Sequence, residues 1–360
     1  MTNPISRFSS RAIHVLRTEG LDVLVKKIRR RLRVQVFHPL PPTLIQLPVD
    51  YIPQPLPVCG QHPRASLIIP CEGKLSQLHH CLAAISASGD KAPFEVIVVL
   101  NGSEEILTQE LKSYGIHCVQ SREENLRPFQ SLNLGAAEAR GDFLVFLTSN
   151  IQVQSGWLDA LLDTFEGQQQ AGLVGSRVIF PNGRQKEAGG IVFQDGSVWS
   201  YGQLDDPYQP EYSYLREPDF FTETSLAIER TLFKRLGGFD INYSSSCYGN
   251  ADLAFRIRVS GYRVYYQPWS RVIDCGSNST GQDLGVCTHK ISGLDIDKHI
   301  FIDRWRDKLG THGECGKYIE QQKERYVHQR AFVVDVYVPT PDRESGSLRL
   351  VNLFTLLREL

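Results

Sequence analysis

Between residues 64 and 147, short apolar runs alternate with amphipathic stretches, and this alternation constrains the fold more than any other feature of the chain. RASLIIPC (64–71), FEVIVVL (94–100), IHCVQ (116–120) and DFLVFL (142–147) read as strands. LSQLHHCLAAISAS (75–88), Glu104 to Tyr114 and Ser131 to Arg140 read as the helices between them. Continuous apolar strands joined through helices belong to a parallel sheet covered on both faces. Ligands of such sheets sit at the carboxyl ends of strands. The loops after Pro70, Leu100 and Leu147 are therefore where chemistry is expected.

From about residue 172 the texture changes to short strands joined by Asn-Gly and Asp-Gly turns. Segment 218–228 adds a strand, and Arg230–Leu236 a short helix ended by Gly237-Gly238. Asn250–Ser260 reads as helix, YRVYYQP and SRVID as separate strands, and 299–309 and 317–328 as helices. Trp199 and Tyr201 suit packing at the core or its rim better than stacking on a sugar.

Composition narrows the classes. Hydrophobic residues make up 41% and charged residues 22%, as in ordinary globular chains, and no run of 18 apolar residues exists. The eight cysteines form no C-x-x-C pair and no zinc-finger spacing, so they are expected to be reduced thiols of a cytosolic protein. Walker and G-x-G-x-x-G sequences are missing, which leaves ATPase and NAD readings without support.

Charge is uneven along the chain. Residues 1–34 hold nine basic side chains against Glu19 and Asp22, although the whole chain carries −1. Ile13, Leu16, Leu21, Leu24, Val25, Ile28 and Leu32 recur at mostly helical spacing between them. A basic amphipathic helix of this kind lies on an anionic membrane surface or packs as a solvated helix on its own domain. Aromatic residues do not interleave with the charges, so nucleic acid is not expected. The expected organisation is a basic helical segment (1–38), a Pro-rich linker with eight prolines (39–63), an α/β domain (64–310), a helical linker (311–330) and the start of a second domain (331–360).

The run LIIP, CLAAI, FEVIVVLNGS, NLGAAEARGDFLVFL, GWLDALL, GLVGSRVIFPNGRQKEAGGIVF, LFKRLGGFD and ADLAFRIRVSGYRVYYQP resembles family-2 glycosyltransferases over residues 65 to about 275. EYSYLREPDF, SNSTGQDLGV and the tail VVDVYVPTPDRESGSLRLVNL look like bacterial polysaccharide-assembly proteins in which such a domain precedes a second glycosyltransferase domain. The resemblance implies a GT-A fold, an NDP-sugar donor, a glycan acceptor, Mg²⁺ or Mn²⁺, and inversion at the anomeric carbon. The expected place is cytoplasmic, peripheral on the inner face of the membrane through the basic N-terminal segment, with a partner glycosyltransferase.

That chemistry makes demands on particular positions. A diphosphate leaving group needs a divalent ion held by hard carboxylates, and a sugar hydroxyl needs a base. The resemblance places the metal at Asn150, in Thr148-Ser149-Asn150 where Asn-Asn-Asp is usual, and at Asp274, where His is usual. It places the base at Asn250, where Glu-Asp is usual before Ala251-Asp252-Leu253. Pro70, Leu100, Asn101, Asn125 and Asn133 fall on the nucleotide-sugar side, with Leu100 where an Asp is usual. Asn keeps the shape of Asp without its charge and is no base near neutrality. Two readings follow: a transferase relying on Asp274, Asp252 or Glu223, and a non-catalytic module that binds a nucleotide sugar or glycan or scaffolds a partner enzyme.

Overall fold

The computed structural model describes residues 56, 62–71, 75–101, 105–121, 126–221, 225–276, 294–327 and 339–359. The basic segment 1–38, the apolar run 331–338, Asn125 and Glu223 lie outside the described residues, as does the side chain of Asn101. The chain divides into two compact units, residues 1–323 and 324–360. In the second, helix Ser345–Glu359 leaves Leu348, Leu353, Phe354 and Leu356 exposed.

The first unit is a mixed α/β domain built on a nine-stranded sheet. Its strands are β1 Ala65–Cys71, β2 Phe94–Asn101, β3 His117–Ser121, β4 Phe143–Leu147, β5 Ile151–Val153, β6 Ala171–Ile179, β7 Gln185–Glu187, β10 Ser225–Glu229 and β11 Arg263–Asp274. A separate hairpin pairs β8 Gly190–Val192 with β9 Val198–Ser200. The order is β3-β2-β1-β4-β10-β6-β11-β5, with β7 on β6. The first four strands are mutually parallel, β6 and β11 run with them, and β10, β5 and β7 run against their neighbours. The parallel first half is what the strand–helix alternation implies.

Side-chain alternation assigns the two faces. Ile68, Ile97, Val99, Leu144 and Phe146 enter one core cluster, while Leu67, Ile69, Val96, Val98, Leu100, Val145 and Leu147 enter the other. The second face is covered by α1 (Leu75–Ala87), α2 (Glu105–Ser113) and α4 (Trp157–Gly167); α1 buries Leu78, Cys81, Leu82 and Ile85 at helical spacing. The first face takes α3 (Pro128–Glu138), whose Gly135 lies so near the sheet that a Cβ would sit 2.5 Å from Ile68 Cγ2. It also takes α5 (Arg230–Arg235), α6 (Ser246–Val259) and α7 (Leu294–Leu309), with α8 (Ile319–Gln322) ending the unit.

Several boundaries differ from expectation for local reasons. Helix α3 begins three residues early because Pro128 suits the first helical position and the Gln130 side chain accepts the Arg127 N–H at 2.9 Å. Helix α6 starts at Ser246 rather than Asn250. YRVYYQP and SRVID form one strand, β11, interrupted by a bulge between Gln267 and Arg271 that leaves Trp269 exposed. Of the described residues 317–327, only Ile319–Gln322 is α-helix. Cys247 is disulfide-bonded, which corrects the expectation of reduced thiols at that position; Cys81, Cys118, Cys275 and Cys315 are outside any disulfide.

Candidate functional site

Since β1, β2, β3, β4, β6 and β11 share one direction, their carboxyl ends lie along one edge of the sheet. At that edge the chain leaves β4 through Thr148–Asn150 and returns as β5, antiparallel to the end of β11, with Ile151 opposite Asp274. The Cys275 N–H donates to the Asn150 carbonyl at 2.9 Å. The ladder thus forces positions 150 and 274 together. Asn150 Nδ2 donates to Asp274 Oδ1, which also accepts the Gly276 N–H at 2.8 Å.

The remaining carboxylate oxygen meets a cation. Strand β6 turns back through Pro181-Asn182-Gly183-Arg184 into β7, and Lys186 Nζ donates from there to Asp274 Oδ2. Both side chains are sheltered, with 11% of Lys186 and 2% of Asp274 exposed. An ion pair so far from water holds only when each charge is closely partnered. Lys186 was missed from sequence; its signal is a lysine inside a segment, Arg184–Val192, that the fold buries throughout behind an Asn-Gly turn.

Two thiols flank the cluster. Burial, with the Asp274 charge adding to it, pushes the Cys275 thiol up to about 11. Burial and then Cys275 push Cys81 up to about 12, and its Sγ lies 3.9 Å from the Thr148 carbonyl. Neither is a thiolate near neutral pH, so neither is a nucleophile or soft metal ligand there.

The other candidate residues divide. Asn250, in the second turn of α6, is 1% exposed, and neither amide atom has a hydrogen-bond partner among the described residues. Asp252 is fully buried and faces α7: it accepts from Arg256 Nε at 2.7 Å, Arg304 Nη1 at 2.8 Å and Trp305 Nε1 at 3.0 Å. A carboxylate fixed by three donors ties two helices together and is poorly placed to take an acceptor's proton. Leu100 is a core side chain on the α1–α2 face, and Pro70 is buried in β1 opposite Val99. Asn133 clamps the backbone of Phe239, giving Nδ2 to its carbonyl at 2.8 Å and taking its N–H at 2.9 Å. This secures the turn at Gly237 and Gly238, whose φ values are +79° and +77°. Tyr201 and Trp199 pack as expected: Arg216 lies 4.7 Å over the Tyr201 ring, and Trp199 meets Phe193 edge-on at 5.1 Å.

A hard divalent ion needs several oxygen ligands. Here the Asp274 carboxylate already accepts on both oxygens, and Asn150 turns its amide nitrogen toward it. Among the described residues, nowhere do three or more His, Cys, Asp or Glu side chains group so as to hold a metal. Among the described residues the donor set does not fit Mg²⁺ or Mn²⁺.

Comparison with known proteins agrees on the fold. Residues 66–234 match the model for Glycosyl transferase family 2. An uncharacterised protein of Sinorhizobium fredii, y4gI, is 27% identical over 234 residues, 61% of this chain and 25% of that protein. The O-antigen biosynthesis protein RfbC of Myxococcus xanthus is 27% identical over 286 residues, 74% of this chain and 22% of that protein. The chain thus spans about a quarter of the length of these relatives. A crystal structure of GalNAc-T7 with UDP, GalNAc and Mn²⁺ superposes with a TM-score of 0.52 at 14% identity, covering 69% of this chain and 50% of that one. That likeness is one of fold.

Proposed function

Residues 66–234 form a Glycosyl transferase family 2 domain of GT-A fold, and from that premise we propose a module of bacterial surface-polysaccharide synthesis that recognises a nucleotide sugar or glycan without metal-dependent transfer. The observation that carries this reading is the Asp274 carboxylate, held by Lys186, Asn150 and Gly276 where the family resemblance puts a metal. Two further features support it. Asn250 stands at the base position as an uncharged amide, and Asp252 is tied to Arg256, Arg304 and Trp305. Loss of ligand charge and loss of base act on different parts of the reaction, so one relocated carboxylate does not restore both.

The setting in polysaccharide assembly rests on the likeness to RfbC, whose name places that relative in O-antigen biosynthesis. A glycan acceptor and a partner glycosyltransferase fit the same setting. The basic segment 1–38 would hold the chain at an anionic membrane surface, peripheral and cytoplasmic; no helix among the described residues is long and apolar enough to cross a membrane.

The test is calorimetric titration of the full chain with UDP- and GDP-sugars in Mn²⁺, alongside a measurement of released nucleotide. Binding without release is the expected result. Metal-dependent release or transfer would overturn the reading and make Glu223 the first residue to replace.

A further inference from the structure

The mismatch between the donor set and a divalent ion has a constructive side, resting on the recognition role just proposed. We infer that the Lys186 ammonium is the resident cation of this cleft: it takes the place of the divalent ion and makes recognition of a nucleoside diphosphate or its sugar metal-independent.

Three observations combine. The pair joins β7 to the end of β11, so Lys186 is delivered to Asp274 by the backbone rather than by a long excursion of a surface side chain. A tethered cation competes with a free ion at high effective concentration. Both partners are buried, so a metal taking Asp274 would strand the Lys186 ammonium in a poorly solvated place beside a second positive charge. Finally, Asp274 Oδ1 is already filled by Asn150 and Gly276, and a Cβ at position 276 would overlap the Asn150 amide. Neither oxygen is offered to an incoming ion without breaking bonds that the fold makes.

The arrangement also explains the residue at position 150. An Asp there would place a second carboxylate against Asp274 with one lysine to balance both, leaving a net negative pocket in which Lys186 still occupies Asp274. Asn donates instead of repelling, and the cluster of Asn150, Asp274 and Lys186 is neutral. Asn150 and Lys186 therefore form one set, and both must change for the metal to return.

The experiment follows free Mn²⁺ by electron paramagnetic resonance during titration of the full chain, with UDP and GDP binding measured in parallel in EDTA and in Mn²⁺. The parent is expected to take up no stoichiometric Mn²⁺ at this site. The Asn150→Asp/Lys186→Met double variant is expected to bind one equivalent, about tenfold or more tightly than either single variant. If the double variant does not fold, the parent still decides: one equivalent of Mn²⁺ that Asp274→Asn abolishes would overturn the inference. Nucleotide binding unchanged by EDTA supports it, and binding that needs Mn²⁺ and is lost in Asp274→Asn overturns it. Exclusion of Mn²⁺ with no nucleotide bound in either buffer would instead sink the recognition role proposed above while leaving Lys186 as the resident cation.

Discussion

Two buried carboxylates sit at opposite edges of the same sheet and use the same chemistry to different ends. At the amino edge, Glu95 in β2 accepts from Ser66 Oγ at 2.6 Å, from the Arg140 N–H at 2.8 Å, and from Arg140 Nε and Nη2 at 2.8 and 2.6 Å. Ser66 in turn accepts the Gly141 N–H at 2.9 Å, so the knot fixes the entry to β4 against β1 and β2. At the carboxyl edge, Asp274 holds the end of β11 to Asn150 and Lys186. The difference lies in solvent. The Arg140 side chain is 62% exposed, whereas only 11% of Lys186 is. An arginine at the rim can be lost to water; a lysine beneath the surface leaves its carboxylate stranded.

The sharpest way to break this comparison is to remove each cation. Lys186→Met should destabilise the fold by about 3–5 kcal/mol, the range for removing one partner of a buried pair. Arg140→Met should cost far less, since its exposed guanidinium is solvated either way. Urea denaturation measures both, and equal losses would erase the distinction between the edges. Asp252→Asn provides a third point: replacing a carboxylate that serves Arg256, Arg304 and Trp305 should cost about 2–3 kcal/mol. A variant that kept full stability would return Asp252 to the list of reactive carboxylates.

The fold was largely legible, the site only by position. The continuous apolar run FEVIVVL translates directly into a strand buried on both faces, and the helical spacing in LSQLHHCLAAISAS into one face of a helix. The resemblance brought Asn150 and Asp274 to one place, and the β5–β11 ladder joins them. Lys186 escaped because its role depends on a hairpin that folds a cation back to a strand 88 residues away, and local spacing carries no such information. The partners of Asp252 and Asn133 were hidden for a related reason: Arg304 and the Phe239 backbone lie 52 and 106 residues away in sequence.

Acid sharpens the comparison at lower amplitude. Burial raises the Glu95 carboxyl, but hydrogen bonds from Ser66 and Arg140 outweigh it and hold the group below its ordinary value. A depressed folded value means stability that is present above the unfolded pKa, near 4.3, and lost as pH falls through the folded value. The urea midpoint of the parent should therefore drop more steeply below about pH 4.5 than that of Glu95→Gln. Parallel curves would contradict the knot. The smallest effect is chemical. With its thiol pushed up to about 11, Cys275 should alkylate with iodoacetamide more slowly than glutathione at pH 8 despite its exposure. Asp274→Asn should speed that labelling, because it removes the charge that opposes the thiolate.

The central claim, that a lysine stands where the family fold would carry a metal, is tested most directly by X-ray diffraction at the manganese absorption edge from crystals soaked in MnCl₂ with UDP. The expected map has no anomalous peak at Asp274 and shows the Lys186 ammonium against its carboxylate. A peak within coordination distance of Asp274, with Lys186 swung away, would contradict the account.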